Sequence, residues 1–236
     1  VAAVDDEGGA VVADLVVNGT VLDQYHQYPV VPAGARVLAG PSYTLLRPAF
    51  AATPWRRLAE PSVTIVVGSG DRARDWAFAL TEVDRRGWGP VAMVVGNAFP
   101  DFDALHAACA HAGIRLLRGL DAASLAAELA SARLALITGG MVVYEALAVG
   151  VPAVVFPQVP NLIPEALWFA DKGCIRDLGF DGGLDRLHVA RSVAGLIGDD
   201  DALLAMSGQA RALVDGRGLE RAARALDEMF GREPRR

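Results

Sequence analysis

The chain has 236 residues, 53% of them hydrophobic and 7% aromatic, with a formal net charge of -6. That length accommodates one large domain or two small ones, and that apolar content supports a substantial core and excludes global disorder. The acidic balance and the few aromatics argue against nucleic acid as a partner, and every apolar run is broken before the ~18 residues that a membrane span needs.

In chain order, short runs rich in β-branched residues predict strands at Val1–Val4, Asp14–Val17, Arg36–Leu38, Val63–Val67, Val91–Val95, Ile114–Leu117, Leu134–Ile137 and Ala153–Phe156. They lack strict alternation, as strands buried on both faces of a parallel sheet do. Between them, apolar residues at helical spacing predict helices over Asp71–Arg86, Asp101–Ala112, Ser124–Ala132 and Met141–Val149, several stopped by glycine. After Ile175 the chain reads as helical, over Asp185–Ile197, Ala202–Val214 and Leu219–Phe230. Alternating strands and helices imply βαβ units and a parallel sheet.

Residues 41–61 break this rhythm with four prolines, Pro41, Pro48, Pro54 and Pro61, and read as a linker. Residues 1–40 before it hold strands but little helix, and read as a remnant of one Rossmann-like domain. Residues 62–230 read as a complete α/β domain. The chain opens inside a strand and without Met, so it is expected to be the back part of something longer, or trimmed.

Three loops are candidates for chemistry. Gly68, Ser69 and Gly70 follow one strand and precede a helix, so their backbone N–H groups could approach a phosphate. The run lacks a full GxGxxG and a P-loop lysine, and a tight turn with an N-cap Asp71 is an equal reading. Thr138, Gly139, Gly140 and Met141 form a second such turn. Five residues on, Glu145 lies in a helix apolar almost all round, where a carboxylate is costly without a donor. A ribose diol would supply two hydroxyls; an ion pair with an arginine, or a solvent-facing side chain, are the alternatives. Asn161, after the strand at 153–156, could read a base, a phosphate or a sugar hydroxyl, or simply precede the helix at Pro164. All three loops are expected at the carboxyl edge of one sheet, where ligands of open α/β folds bind.

Among the histidines, His26 is the candidate base nearest the first domain, while His106 and His111 read as surface residues and His188, in the late helix, as a structural or solvent-facing one. No GxSxG is present, which leaves serine hydrolase chemistry without support. Cys109 and Cys174 have no metal-ligand spacing, so no metal site, no cofactor and no disulfide are expected, and a reducing cytoplasm fits. No secretory signal pattern precedes the first strand. The richness in Ala, Arg, Gly and Val fits a high-GC bacterial genome.

Gly40-Pro-Ser-Tyr-Thr-Leu-Leu-Arg-Pro-Ala-Phe50 resembles the interdomain motif of the UDP-sugar hydrolases of pseudaminic acid biosynthesis and of related spore-coat polysaccharide proteins. Val4-Asp-Asp6 and Ala13-Asp-Leu-Val-Val-Asn18 resemble the end of that family's first domain. Residues 138–152 are similar to the nucleotide-sugar motif shared with the lipid-linked N-acetylglucosamine transferase of peptidoglycan synthesis.

The resemblance implies a GT-B architecture and a UDP-sugar ligand. It places Gly139, Gly140 and Met141 against the pyrophosphate or uridine, Glu145 on the ribose, and Gly68–Gly70 along the cleft. Asn161 matches the Asn of the family's Asn-Gln pair, with Leu162 in place of the Gln. The family's glycine-rich loop ending in Gly-His, whose histidine activates water, has no counterpart here. The expected function is therefore UDP-sugar hydrolysis at the anomeric carbon. The alternatives are a GT-B glycosyltransferase and a non-catalytic nucleotide-sugar-binding module or half of a split enzyme, needing a partner chain.

Overall fold

The β-branched runs extend because neighbouring strands on both sides take up their backbone groups and their branched side chains pack on a pleated surface. The structure is a computed structural model, and it describes residues 1–68, 72–180 and 185–231. Among the described residues the strands make two parallel sheets.

The smaller sheet has the order β1 (Ala2–Val4), β2 (Leu15–Asn18), β3 (Arg36–Ala39), with Val16 paired to Ala3 and Val37. Every residue of the central β2 is buried. Side chains alternate between faces along a strand, so Leu15 and Val17 pack with Leu38 on one face, while Val16 packs with Ala13 and Tyr28 on the other. Asn18, at the end of β2, is wholly buried and well satisfied: its amide nitrogen donates to Tyr25 O (2.9 Å) and Tyr28 Oη (2.7 Å), and its oxygen accepts from the Thr20 amide (3.0 Å) and hydroxyl (2.7 Å). This network sets the shape of the turn that leaves the sheet.

Residues 41–61 are packed rather than loose. They include a short helix, α1 (Ala49–Ala52), and bury Leu46, Phe50 and Trp55 in the main core. The Trp55 indole N–H donates to Ala132 O at 2.7 Å. Proline fixes the backbone of this segment; the large apolar side chains between the prolines anchor it.

The larger sheet has the order β6 (Ile114–Arg118), β5 (Val91–Val95), β4 (Val63–Val67), β7 (Leu134–Ile137), β8 (Ala153–Val155), β9 (Ile175–Asp177). The chain starts in the middle at β4, builds outward to β6, then returns to the other side of β4 with β7. That reversal leaves a crevice between the carboxyl ends of β4 and β7. β4, β5 and β7 are buried along their whole length, as their unbroken apolar runs predict.

The connecting helices are α2 (Ala73–Thr81), α3 (Phe102–His111), α4 (Ala122–Ala130), α5 (Met141–Val149) and α6 (Ile163–Asp171). α2 stops five residues before the predicted Arg86. Arg85 turns its guanidinium back onto the helix end, donating to Thr81 O (2.9 Å) and Val83 O (3.1 Å), and to Ala112 O (2.8 Å) across the gap. β9 falls where the sequence reads as turning helical; three residues are too few for a period to show.

α7 (Arg186–Ile197) and α8 (Asp200–Leu213) cover the same domain. The last helix, α9 (Gly218–Phe230), comes at the end of the segment expected as the C-terminal domain, but packs on the smaller sheet. Ala222, Ala225, Leu226 and Met229 form its apolar stripe against Leu15, Val17 and Leu38. The two-residue-period face of β2 and β3 needs a cover, and a stripe at i, i+3, i+4, i+7 supplies one.

Candidate functional site

The crevice is closed by a contact between its two sides. The Gly68 amide, just past β4, donates to Thr138 Oγ1, just past β7, at 3.1 Å. Thr138 is buried. Gly139 (φ 99°) and Gly140 (φ 77°) then turn the chain into α5 with positive φ, which a residue bearing Cβ adopts only under strain. A Cβ on Gly139 would also lie 3.0 Å from Leu162 Cδ1 and 3.8 Å from Pro157 Cα. The loop after β8 is thus seated on the glycine turn. Ser69 and Gly70 lie outside the described residues, so the structure brings together two of the three expected loops, with Gly68 beside them.

A cavity of ≈ 870 Å³ opens over this turn, between the two sheets. Gly140, Met141 and Asn161 line it from the larger sheet, and residues 4–7 with Gly19, Thr20 and Leu22 from the smaller one. Tyr144 and Glu165, which sequence reasoning did not single out, also line it, and the Tyr144 hydroxyl donates to Glu165 Oε1. Burial pushes the Glu165 carboxyl above the ordinary carboxylate range, partly offset by this bond. Burial, then the nearby Glu165 charge, pushes the tyrosine far above its usual value. An acidic residue in the first turn of a helix reads from sequence as a favourable dipole contact; only the packing of α5 on α6 turns it into a partner for Tyr144.

The cavity wall is acidic, with Asp5, Asp6, Glu7 and Glu165, and no lysine or arginine is among its described lining residues. An anion there would rest on the backbone N–H groups of the Gly139–Gly140 turn and on the positive end of α5. Another groove of ≈ 880 Å³ lies between the end of α2 and α7, lined by Glu82, Asp84 and Arg86 with residues of α7, away from the strand ends.

Glu145 is buried beside the cavity rather than on its lining, one helical turn below the exposed Met141. Its Oε1 accepts from Arg47 Nη2 at 2.8 Å. The ion pair with an arginine, one of the sequence alternatives, is therefore present. Burial pushes the Glu145 carboxyl up and Arg47 opposes that.

His26 lies off the cavity lining, with its Nε2 3.0 Å from Thr20 O and its Nδ1 3.6 Å from Asp23 Oδ1. A carbonyl only accepts, so Nε2 carries the proton and is committed to the backbone. His106 and His111 are exposed on α3. Cys109 and Cys174 are free and buried, and burial raises both thiols, Cys174 to about 11. No described helix is long and apolar enough to cross a membrane.

No protein-family model matches the chain. It is 26% identical over 228 residues to the spore coat polysaccharide biosynthesis protein SpsG of Bacillus subtilis, covering 94% of this chain and 66% of that protein. Among solved structures it matches a UDP-N-acetylglucosamine 2-epimerase with a TM-score of 0.61 at 16% identity, over 95% of this chain and 60% of the other. It also matches CalG4, the calicheamicin glycosyltransferase, with a TM-score of 0.56 at 21% identity, over 94% and 53%.

The fold is of GT-B type. The chain spans about two thirds of its spore-coat relative and between half and three fifths of these two solved chains.

Proposed function

We propose that the chain is the donor-binding part of a GT-B enzyme of polysaccharide biosynthesis that uses a nucleotide-sugar, with UDP as the nucleotide. The observation that carries this is the crevice between β4 and β7, tied by Gly68 and Thr138 and floored by the Gly139–Gly140 turn at the start of α5. Backbone N–H groups at that turn suit a pyrophosphate, and Glu145 below it suits a ribose diol. Asn161 on the rim suits a hydroxyl of the sugar.

Glycosyl transfer is favoured over hydrolysis. The likenesses in sequence and fold include a polysaccharide biosynthesis protein and a glycosyltransferase. In transfer, an acceptor oxygen bonds to the anomeric carbon as the bond to UDP breaks. UDP leaves with the electron pair, its added charge met by the preorganised N–H groups. The acceptor's proton passes to a base. In hydrolysis, water takes the acceptor's place. A cleft with one wall in each sheet suits an acceptor entering against residues 4–7 and Gly19, Thr20 and Leu22, which leaves room for a further segment or a partner chain to supply the base.

Calorimetric titration with UDP, UMP, CMP and NAD tests the binding step. UDP is expected to bind most tightly, and Gly139→Ala to weaken it. Equal affinity for NAD, or no UDP binding, overturns the reading. Incubation with UDP-N-acetyl sugars, with and without a sugar acceptor, separates transfer from hydrolysis through acceptor-dependent release of UDP. Binding with no release in either case identifies a binding module.

A further inference from the structure

Arg47 comes from the segment joining the two sheets, and its place there is tightly determined. Leu46 and Phe50 on either side are buried. The Phe50 amide donates to Arg47 O at 3.2 Å, and the guanidinium carbon stands 5.3 Å from the centre of the Phe50 ring. Upstream, the Thr44 hydroxyl reaches Gly19 O (2.7 Å) and Pro41 O (2.9 Å), joining the segment to the turn that leaves β2. The guanidinium is thus delivered to the flank of α5, where it meets Glu145.

That meeting uses one carboxylate oxygen. An ionised carboxylate offers about four acceptor positions, and Glu145 Oε2 has no partner among the described residues. The side chain is 11% exposed, so the free oxygen retains a path outward.

We propose that Arg47 is a positioning residue for Glu145, holding one oxygen so that the other accepts from the vicinal diol of a nucleotide ribose. This rests on the reading of α5 as the donor-binding helix. Arg47 also keeps the carboxylate charged: burial favours its protonated form, and a protonated carboxyl is a weaker acceptor for two hydroxyls. The other elements packed on α5 bring little competing charge. α1, β7 and β8 carry none. α4 brings Glu128, paired with Arg115, and its N-cap Asp121, whose charge Arg47 also feels. α6 brings Glu165, which accepts from the Tyr144 hydroxyl, and α8 brings Arg211 against Gly150 at the opposite end of α5, and Asp200, paired with Arg57 and Arg133.

The experiment compares UDP with 2′-deoxy-UDP, by calorimetry at pH 6 and pH 8, on the full chain and on Glu145→Ala, Arg47→Met and Arg47→Lys. Wild type is expected to prefer UDP by about tenfold or more, the range of a hydrogen bond to a charged group. Glu145→Ala is expected to erase the preference at both pH values. Arg47→Met is expected to lose most of it at pH 6 and regain part at pH 8, while Arg47→Lys retains it at pH 8.

If Glu145→Ala erases the preference and Arg47→Met keeps it at both pH values, the positioning role is overturned and the diol reading stands. If Glu145→Ala leaves the preference intact, or wild type shows none, both are overturned. A fall in melting temperature for Arg47→Met with an unchanged preference marks a merely structural ion pair and also overturns the role.

Discussion

The Gly68 amide and the Thr138 hydroxyl, 70 positions apart, meet at 3.1 Å where the order of the larger sheet reverses. The bond pins the two strand ends that flank the crevice, so it sets the width available to a ligand. Thr138→Val keeps the shape and removes the acceptor. It is expected to lower stability by about 1 kcal/mol and to weaken UDP binding, because a Gly68 amide no longer held by its neighbour rearranges. Thr138→Ser should restore both. Urea denaturation and calorimetry on the three proteins check this, and equal UDP affinity across them contradicts it.

Glu165 and Tyr144 predict a pH dependence of stability. Native Glu165 binds its proton more tightly than the unfolded chain does. The native state therefore holds more protons across the carboxylate range, and stability falls as pH rises. Its contribution is complete below the unfolded value of about 4.3 and is lost as pH climbs through the raised native one. Glu165→Gln keeps an acceptor for the Tyr144 hydroxyl without the charge. Its melting temperature should exceed that of wild type at pH 8 and converge with it near pH 4.

Asp215 behaves in the opposite sense. Arg221 donates to both its oxygens, at 2.7 and 2.5 Å, and also to Ser42 O at 2.8 Å, so one guanidinium ties the start of α9 to the joining segment. That bond holds the Asp215 carboxyl below its ordinary range. Its stabilisation is present above the unfolded value of about 3.9 and lost as pH falls through the native one. Asp215→Asn should destabilise at pH 7 and differ little from wild type near pH 2.5. A melting series across that range tests it.

Two glycines separate tertiary packing from helix propensity. A Cβ on Gly218 would lie 2.2 Å from Thr44 O and 2.6 Å from the Tyr43 carbonyl carbon. Backbone atoms yield poorly, so Gly218→Ala should cost about 1–3 kcal/mol and loosen α9 from the smaller sheet. Gly195, on the exposed side of α7, has nothing within 4 Å of that position. Gly195→Ala should stabilise by about 0.5–1 kcal/mol. Thermal unfolding of both variants checks the opposite signs.

Much of the fold is legible in the chain itself. The run 134–157 reads as strand, glycine turn, helix and strand, and the structure has β7, the Gly139–Gly140 turn, α5 and β8 in that order. Glycine at C′ marks the end of α5 because Gly150 adopts a left-handed conformation there. Legibility fails at element ends and in the shortest strand. Arg85 ends α2 early by capping its carbonyls, and β9 is a three-residue edge strand defined by pairing with β8.

The candidate site divides along the same line. Local backbone chemistry, glycine where φ is positive and β-branched residues where strands are buried, determines the two sheets' segments and the position of the phosphate-suited turn. Side-chain partnerships are decided only by the folded chain. Glu145 finds Arg47 across 98 positions, Tyr144 finds Glu165 across 21, and α9 returns to cover strands near the start. No local pattern encodes these meetings. They follow from the strand order and from apolar faces that must be covered, which together set which loops share one edge of the sheet.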